Sequence, residues 1–134
     1  MSTTPCYYYD LGLLNRTVQA VSKASRVYGY HVHYALKANS NPVLLSEIVK
    51  AGLGADCVSG NEIITAIAHG FTPDQIVFAG VGKTDEDILI GIRNDIFCVN
   101  CESLQELEVI ADLAEREGNT TRIALLMNPD VDAL

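Results

Sequence analysis

Short apolar runs along the chain alternate with segments in which apolar residues recur every three or four positions. The short runs are typical of buried strands, and the wider spacing is typical of helices that bury one face. Strands are predicted over residues 31–37, 54–58, 76–79, 96–99 and 122–127.

Helix-start signals precede the spaced segments. Asp10 is a suitable N-cap for a first helix, and Ser59 with Glu62 three residues later forms the capping-box pattern. Ser103 with Glu106 repeats that pattern. Helices are predicted from about residue 11, over 42–50, from 59 to about 69, over 84–93 and over 103–117, with a single turn at 72–75.

This alternation of strands and helices predicts an α/β fold with a parallel sheet. Two architectures fit: a complete doubly wound sheet of flavodoxin type, which has about this length, or part of a (β/α)8 barrel. Nucleotide-binding loops that would support the first are missing. Gly82-Lys83-Thr84 lacks the earlier glycine of a phosphate loop at the required spacing, where the chain instead runs through the predicted strand that contains Phe78.

The length and charge narrow the class of protein. The 134 residues suffice for one ordinary domain, and 9 basic against 17 acidic residues give a net charge of −8. That balance argues against sequence-independent binding to nucleic acid or to anionic membranes. The first ten residues lack the features of a secretory signal, and no apolar run approaches the ~20 residues of a membrane span. We expect a cytoplasmic protein.

The four cysteines do not suggest a disulfide framework in a chain of this length. Cys98 and Cys101 form a C-x-x-C motif, but Cys98 lies in a predicted buried strand and not at a helix N-terminus, so we interpret it as a small buried hydrophobe. His31 and His33 have no third ligand nearby in sequence, and no metal site is expected.

Lys37 is the strongest candidate for chemistry. Alternation along the first strand places His33, Ala35 and Lys37 on one face, with Lys37 at the carboxyl end. In a parallel barrel this position is at the inner rim, where active sites lie. Partial burial there favours a neutral amine, which can attack a carbonyl to form a Schiff base. The alternative is a lysine that only points into water.

Two carboxylates follow the second predicted strand. Asp56 lies at its carboxyl end, where it is either a site residue or an ordinary carboxylate of a turn. Glu62 is the third helical residue of the capping box that begins at Ser59, a structural role that needs no ligand.

Several motifs in order resemble a known family. The runs YALKAN at 34–39 and GADCVSGNE at 54–62 resemble the alanine-racemase-fold decarboxylases that use pyridoxal phosphate. Within that family, IVFAGVGKT at 76–84 and NPDVDA at 128–133 are most similar to the diaminopimelate decarboxylases. The resemblance extends from about Thr4 to Ala133.

The resemblance implies a fold and an activity. Residues 1–134 would form a single, incomplete pyridoxal-phosphate-binding domain, about five of the eight units of a barrel, and residues 1–9 would pair with a C-terminal β-domain. The complete enzyme, a homodimer, would convert meso-2,6-diaminopimelate to L-lysine. Lys37 would carry pyridoxal phosphate, Asp56 would lie beside the covalent bond, and Glu62 would support that site from behind.

Departures from the family pattern leave alternatives open. Leu126 stands where the family usually has arginine, and the sequence stops at Leu134, before the motifs expected to bind the phosphate and the ring nitrogen. We therefore expect the 134-residue chain alone to be inactive. The alternatives are a related decarboxylase acting on ornithine, arginine or carboxynorspermidine, and a non-catalytic, partner-binding fragment.

Overall fold

The computed structural model describes residues 3–127 and contains one parallel sheet. Its strands follow one another in chain order, β1-β2-β3-β4-β5, and every neighbouring pair is parallel. The strands are β1 His33–Ala35, β2 Gly54–Cys57, β3 Ile76–Phe78, β4 Cys98–Cys101 and β5 Ile123–Leu125.

Five helices accompany the strands, and a residue with a capping side chain precedes each. Asp10, Asn41, Ser59, Thr84 and Ser103 each accept a hydrogen bond from a backbone N–H in the first helical turn. The helices are α1 Leu11–Arg26, α2 Pro42–Lys50, α3 Gly60–Ala68, α4 Asp85–Arg93 and α5 Leu104–Arg116, with 3₁₀ turns at Leu36–Ala38 and Pro73–Gln75.

The strand order decides between the two architectures. A doubly wound sheet reverses direction and places its first strand inside the sheet, whereas here β1 and β5 lie at the two edges. Right-handed connections between consecutive parallel neighbours place the helices on one face. The chain is therefore a sector of a barrel, not a flavodoxin-like domain.

The core lies between that face of the sheet and the helices. Alternate strand residues point into it and are fully buried, including Ala55, Ile76, Phe78 and Val99. Helical side chains that meet them include Leu45, Ile48, Ile63, Ile88, Ile92 and Ile110. The opposite face carries the other register set, in which Ala35 aligns with Asp56, Asp56 with Val77, and Val77 with Cys98.

The strand boundaries differ from the sequence prediction by one or two residues, and the first and fourth strands show why. The strand predicted over 31–37 extends only over His33–Ala35, and Lys37 lies in the 3₁₀ turn that follows. The strand predicted over 96–99 begins two residues later, at Cys98. Phe97 donates its N–H to the carbonyls of both Pro73 and Ile76 before the ladder starts.

Two sequence predictions concern the ends of the chain. Residues 3–10 form no strand, and Tyr7 and Tyr8 are exposed, so pairing with a C-terminal β-domain stays a prediction. The motif at 128–133 lies outside the described residues. Within the described part, no helix is both long and apolar enough to cross a membrane.

Candidate active site

The register brings Lys37 and Asp56 to the same edge of the sheet. Ala35 is the register partner of Asp56, and Lys37 follows Ala35 by two residues. Both residues therefore lie at the carboxyl ends of adjacent strands, which are about 4.8 Å apart in a sheet. The sequence prediction of a rim position for each is consistent with this placement.

The turn that carries Lys37 is fixed by burial of Leu36 and by two hydrogen bonds of the Asn39 backbone. Leu36 is only 1% exposed and fixes the turn in the core, while Lys37 beside it is exposed. Asn39 donates its N–H to the Leu36 carbonyl at 3.1 Å, and the Tyr34 hydroxyl donates to the Asn39 carbonyl at 3.0 Å. The Lys37 amine is thus presented at the rim by a well-anchored turn and not by the strand itself.

Asp56 has an incompletely satisfied carboxylate. Its Oδ1 oxygen is buried and accepts no hydrogen bond from any residue between 3 and 127. Leaving a buried carboxylate oxygen without a donor costs free energy, so native structures rarely keep one without a reason. The oxygen is available to a donor or a cation that lies outside the described residues.

Glu62 has a different partner from the one that a capping box requires. The Ser59 hydroxyl accepts from the Glu62 N–H at 3.2 Å, as predicted, but Glu62 Oε2 accepts from the Val58 N–H at 2.8 Å. Glu106 likewise accepts from the N–H of Glu102, the residue before its N-cap, at 2.7 Å. Each glutamate therefore fastens the end of the preceding strand to the following helix.

His33 lies on the same face of the sheet as Asp56, two residues farther from the carboxyl edge. Its ring lies against Gly54 and stacks on Phe97 with 6.5 Å between ring centroids. Burial lowers the pKa of His33, the charge of Asp56 acts in the opposite direction, and His31 lowers the pKa further. His33 is therefore a neutral packing residue near neutral pH, and the structure assigns it no ligand.

The C-x-x-C motif cannot act as a dithiol. Cys98 aligns with Val77 on the face that carries Asp56, whereas Cys101, three residues on, points to the helical face and is 2% exposed. The Cys101 thiol donates to the Ser103 carbonyl at 3.1 Å. The interpretation of Cys98 as a small buried residue agrees with its 8% exposure.

Sequence reasoning missed the role of Lys83. Its side chain is 1% exposed, and its ammonium donates to the Gly80 and Asn100 carbonyls and to Glu106. An ammonium whose donors are already occupied by the protein is not available to a phosphate, so the GVGKT run is not a phosphate loop. Its partners in β4 and α5 lie 17 and 23 residues away, beyond the reach of local patterns.

Comparison with known families identifies this arrangement. Residues 11–134 match the family model described as the pyridoxal-binding domain of pyridoxal-dependent decarboxylases. The chain belongs to this family. Its sheet with Lys37 and Asp56 at the carboxyl edge is therefore the pyridoxal-binding domain, and the implied barrel fold is confirmed.

Individual relatives within the family are diaminopimelate decarboxylases. The chain is 50% identical over 131 residues to that of Bacteroides thetaiotaomicron, covering 97% of this chain and 34% of the relative. It is 40% identical to that of Aquifex aeolicus over 129 residues, covering 96% and 30%. The chain thus spans about a third of the length of the curated relatives it matches.

Solved structures of diaminopimelate decarboxylases superpose on this chain. The diaminopimelate decarboxylase of Helicobacter pylori, complexed with L-lysine, superposes with a TM-score of 0.85 at 36% identity, covering 99% of this chain and 34% of that one. The diaminopimelate decarboxylase described as from m. jannaschi superposes with a TM-score of 0.81 at 33% identity, covering 90% of this chain and 29% of that one.

Proposed function

We propose that this chain is the N-terminal portion of a pyridoxal-phosphate-dependent enzyme that decarboxylates meso-2,6-diaminopimelate to L-lysine. One observation carries the proposal: Lys37 is exposed at the rim beside the strand whose Asp56 has a buried oxygen that accepts no hydrogen bond from residues 3–127. The similarity to diaminopimelate decarboxylases supports the substrate. We further propose that the enzyme is a cytoplasmic homodimer, as the family resemblance implies.

The residues present fit pyridoxal phosphate. The amine of Lys37 can bond to an aldehyde carbon, and the unpartnered Oδ1 of Asp56 suits a protonated nitrogen next to that bond. When bound, the cofactor supplies a cationic ring that accepts electrons while a substrate carboxylate leaves as CO2.

Each side chain has a separate task in this proposal. Lys37 would hold the cofactor through its side-chain amine, and a substrate amine would compete for the same aldehyde carbon. Asp56 would place its carboxylate beside that nitrogen, which favours the protonated form of the nitrogen. Glu62, bonded to the Val58 N–H, holds the junction directly after the strand that carries Asp56. Glu62 would therefore stabilise the backbone next to the site and would not contact the cofactor itself.

Covalent labelling tests the assignment of Lys37. Treating the 134-residue chain with pyridoxal phosphate and then borohydride, followed by peptide mapping, should locate the pyridoxyl group on Lys37. Lys37→Arg should lose this label, whereas Lys50→Arg, at an exposed ion pair with Glu47, should retain it. A label that maps mainly to Lys23, Lys50 or Lys83 would refute the proposal.

A non-catalytic fragment is the alternative that one observation favours. Leu126, at the position where the family usually has arginine, is 52% exposed just after β5. A hybrid distinguishes the two: this chain replaces the matching third of the Bacteroides thetaiotaomicron enzyme. CO2 release from meso-diaminopimelate by the hybrid supports catalysis. A hybrid that is folded and inactive, and that Leu126→Arg does not rescue, supports the fragment. Turnover of ornithine or arginine instead would favour a related decarboxylase.

A further inference from the structure

The seam between β3 and β4 opens at the carboxyl edge of the sheet. Its pairing ends at Phe78↔Val99. In a parallel ladder of this register, the next backbone hydrogen bond would join the Gly80 N–H to the Asn100 carbonyl. Instead the Gly80 N–H donates to Glu102 Oε1 at 3.0 Å, and the Asn100 carbonyl accepts from Lys83 Nζ at 2.8 Å.

The Lys83 ammonium fills this opening. It donates to the Gly80 carbonyl at 2.7 Å and to Glu106 Oε1 at 2.9 Å, in addition to Asn100, so each of its three hydrogens has an acceptor. The Phe78 ring lies 5.5 Å away and closes one side of the site. Because the side chain is only 1% exposed, these bonds are shielded from water and are correspondingly strong.

The same contacts join two loops at the rim. Glu106 bonds to Lys83 through one oxygen and to the Glu102 N–H through the other, while Glu102 holds Gly80. The loop after β3 is thereby fixed to the loop after β4. Asn100 lies on the same face as Cys98, which aligns through Val77 with Asp56.

We propose that Lys83 is a positioning residue: its ammonium replaces the next β3–β4 hydrogen bond and holds the rim open, with Asn100 and the 79–82 loop set to receive the cofactor that Lys37 binds. This inference rests on the proposed function. Among residues 3–127, the Lys83 ammonium donates to two carbonyls and one carboxylate and lies against the Phe78 ring, so its effect on the cofactor passes through the loops that it joins.

Substitution of Lys83 tests the proposal in the 134-residue chain. Lys83→Met keeps the length of the side chain and removes its three donors. We expect the pyridoxal phosphate concentration for half-maximal borohydride labelling of Lys37 to rise about tenfold. We also expect faster hydrogen exchange at the Gly80 and Glu102 amides. Lys83→Arg, which keeps the charge, should restore part of both effects.

Lys50→Met is the matched control, because Lys50 also pairs with a glutamate but is exposed. All labelling is done well below each variant's melting temperature, so that a loss of stability alone does not change the half-maximal concentration. If Lys83→Met does not fold, Glu102→Gln decides, since it weakens the same seam through the Gly80 N–H. Labelling within twofold of the unsubstituted chain in the folded variant would overturn the inference. Failure to label Lys37 in the unsubstituted chain would instead count against the proposed function.

Discussion

Two charged side chains at the edge of this sheet are buried in different ways. Lys83 has an acceptor for every hydrogen, whereas Asp56 keeps one buried oxygen without a donor among residues 3–127. A fully partnered buried charge needs nothing further, and removing one of its partners is costly. An unpartnered one indicates a ligand, which supports our proposal that the cofactor bound to Lys37 lies beside Asp56 and is not held by the Lys83 ammonium.

The reactivity of Cys57 follows from its surroundings. Burial, and to a lesser degree the charges of Glu62 and Asp56, together raise the pKa of the Cys57 thiol to about 12. Because the thiolate is the reactive form, we expect iodoacetamide at pH 8 to leave Cys57 unmodified in the native chain while it modifies the exposed Cys6. Mass spectrometry of digests measures this. Equal modification of both thiols would contradict the prediction, and denatured chain is the positive control.

Part of the candidate site could be predicted from residues alone. Strand alternation indicated the rim positions of Lys37 and Asp56, since a side chain at the carboxyl end of a parallel strand has few other places to point. Lys83 could not be predicted in this way. Its partners are main-chain carbonyls and a carboxylate brought together only when two loops fold side by side.

At the scale of single elements, strand positions were predicted better than strand ends. Each apolar run predicted as a strand contains or overlaps an observed strand. The reason is that alternate residues of each strand are buried against the helices and must be apolar. The errors at Lys37 and Cys98 arise because apolar runs continue past the ladder. Leu36 is buried in a 3₁₀ turn, and Ile96 is buried before β4 begins. Hydrophobicity reports burial, and it does not distinguish a strand from a buried turn.

Gly54 provides a test of packing between β1 and β2. A Cβ there would lie 2.3 Å from His33 Cδ2 and 2.5 Å from the Gln75 carbonyl oxygen. Because the second contact is with the backbone of the 3₁₀ turn before β3, Gly54→Ala must displace main chain, and we expect the free energy of unfolding to fall by about 1–3 kcal/mol. Urea denaturation followed by circular dichroism measures this loss.

Gly12→Ala is the control, in the first turn of α1, where an added Cβ meets only side-chain atoms no closer than 3.2 Å. Alanine is also the better helix former, so stability should change by less than about 1 kcal/mol. Equal effects of Gly54→Ala and Gly12→Ala would show that the close packing of His33 on Gly54 is not a feature of the folded chain.

At the scale of the whole molecule, strand order was the property that the pattern left undecided. A doubly wound sheet and a barrel sector have the same alternation of strands and helices, and they differ only in which strands are neighbours. The motifs decided in favour of the barrel, and the order β1-β2-β3-β4-β5 confirms it. Within residues 3–127, that order also leaves β1 and β5 at the edges of the sheet, each with backbone groups on one side that no other described strand pairs with.

The β5 edge is the more exposed of the two. Leu125 is 62% exposed and Met127 83%, and Leu126 lies between them, so an apolar segment adjoins the unpaired backbone of this strand. Such an edge pairs readily with another chain, and residues 123–127 carry none of the charged side chains that make up the net charge of −8. We therefore expect the 134-residue chain to form a dimer or a larger species, which size-exclusion chromatography with light scattering measures.

Leu125→Lys should shift this equilibrium toward monomer, because a charged side chain on an edge strand opposes pairing. Leu104→Lys is the matched control: Leu104 is 74% exposed at the start of α5, so the variant makes the same change of charge away from the edge. If both variants reduce association equally, net charge and not the strand edge controls it. A chain that is monomeric at high concentration and melts cooperatively would show that this sector of the barrel is a self-sufficient domain whose edges do not pair.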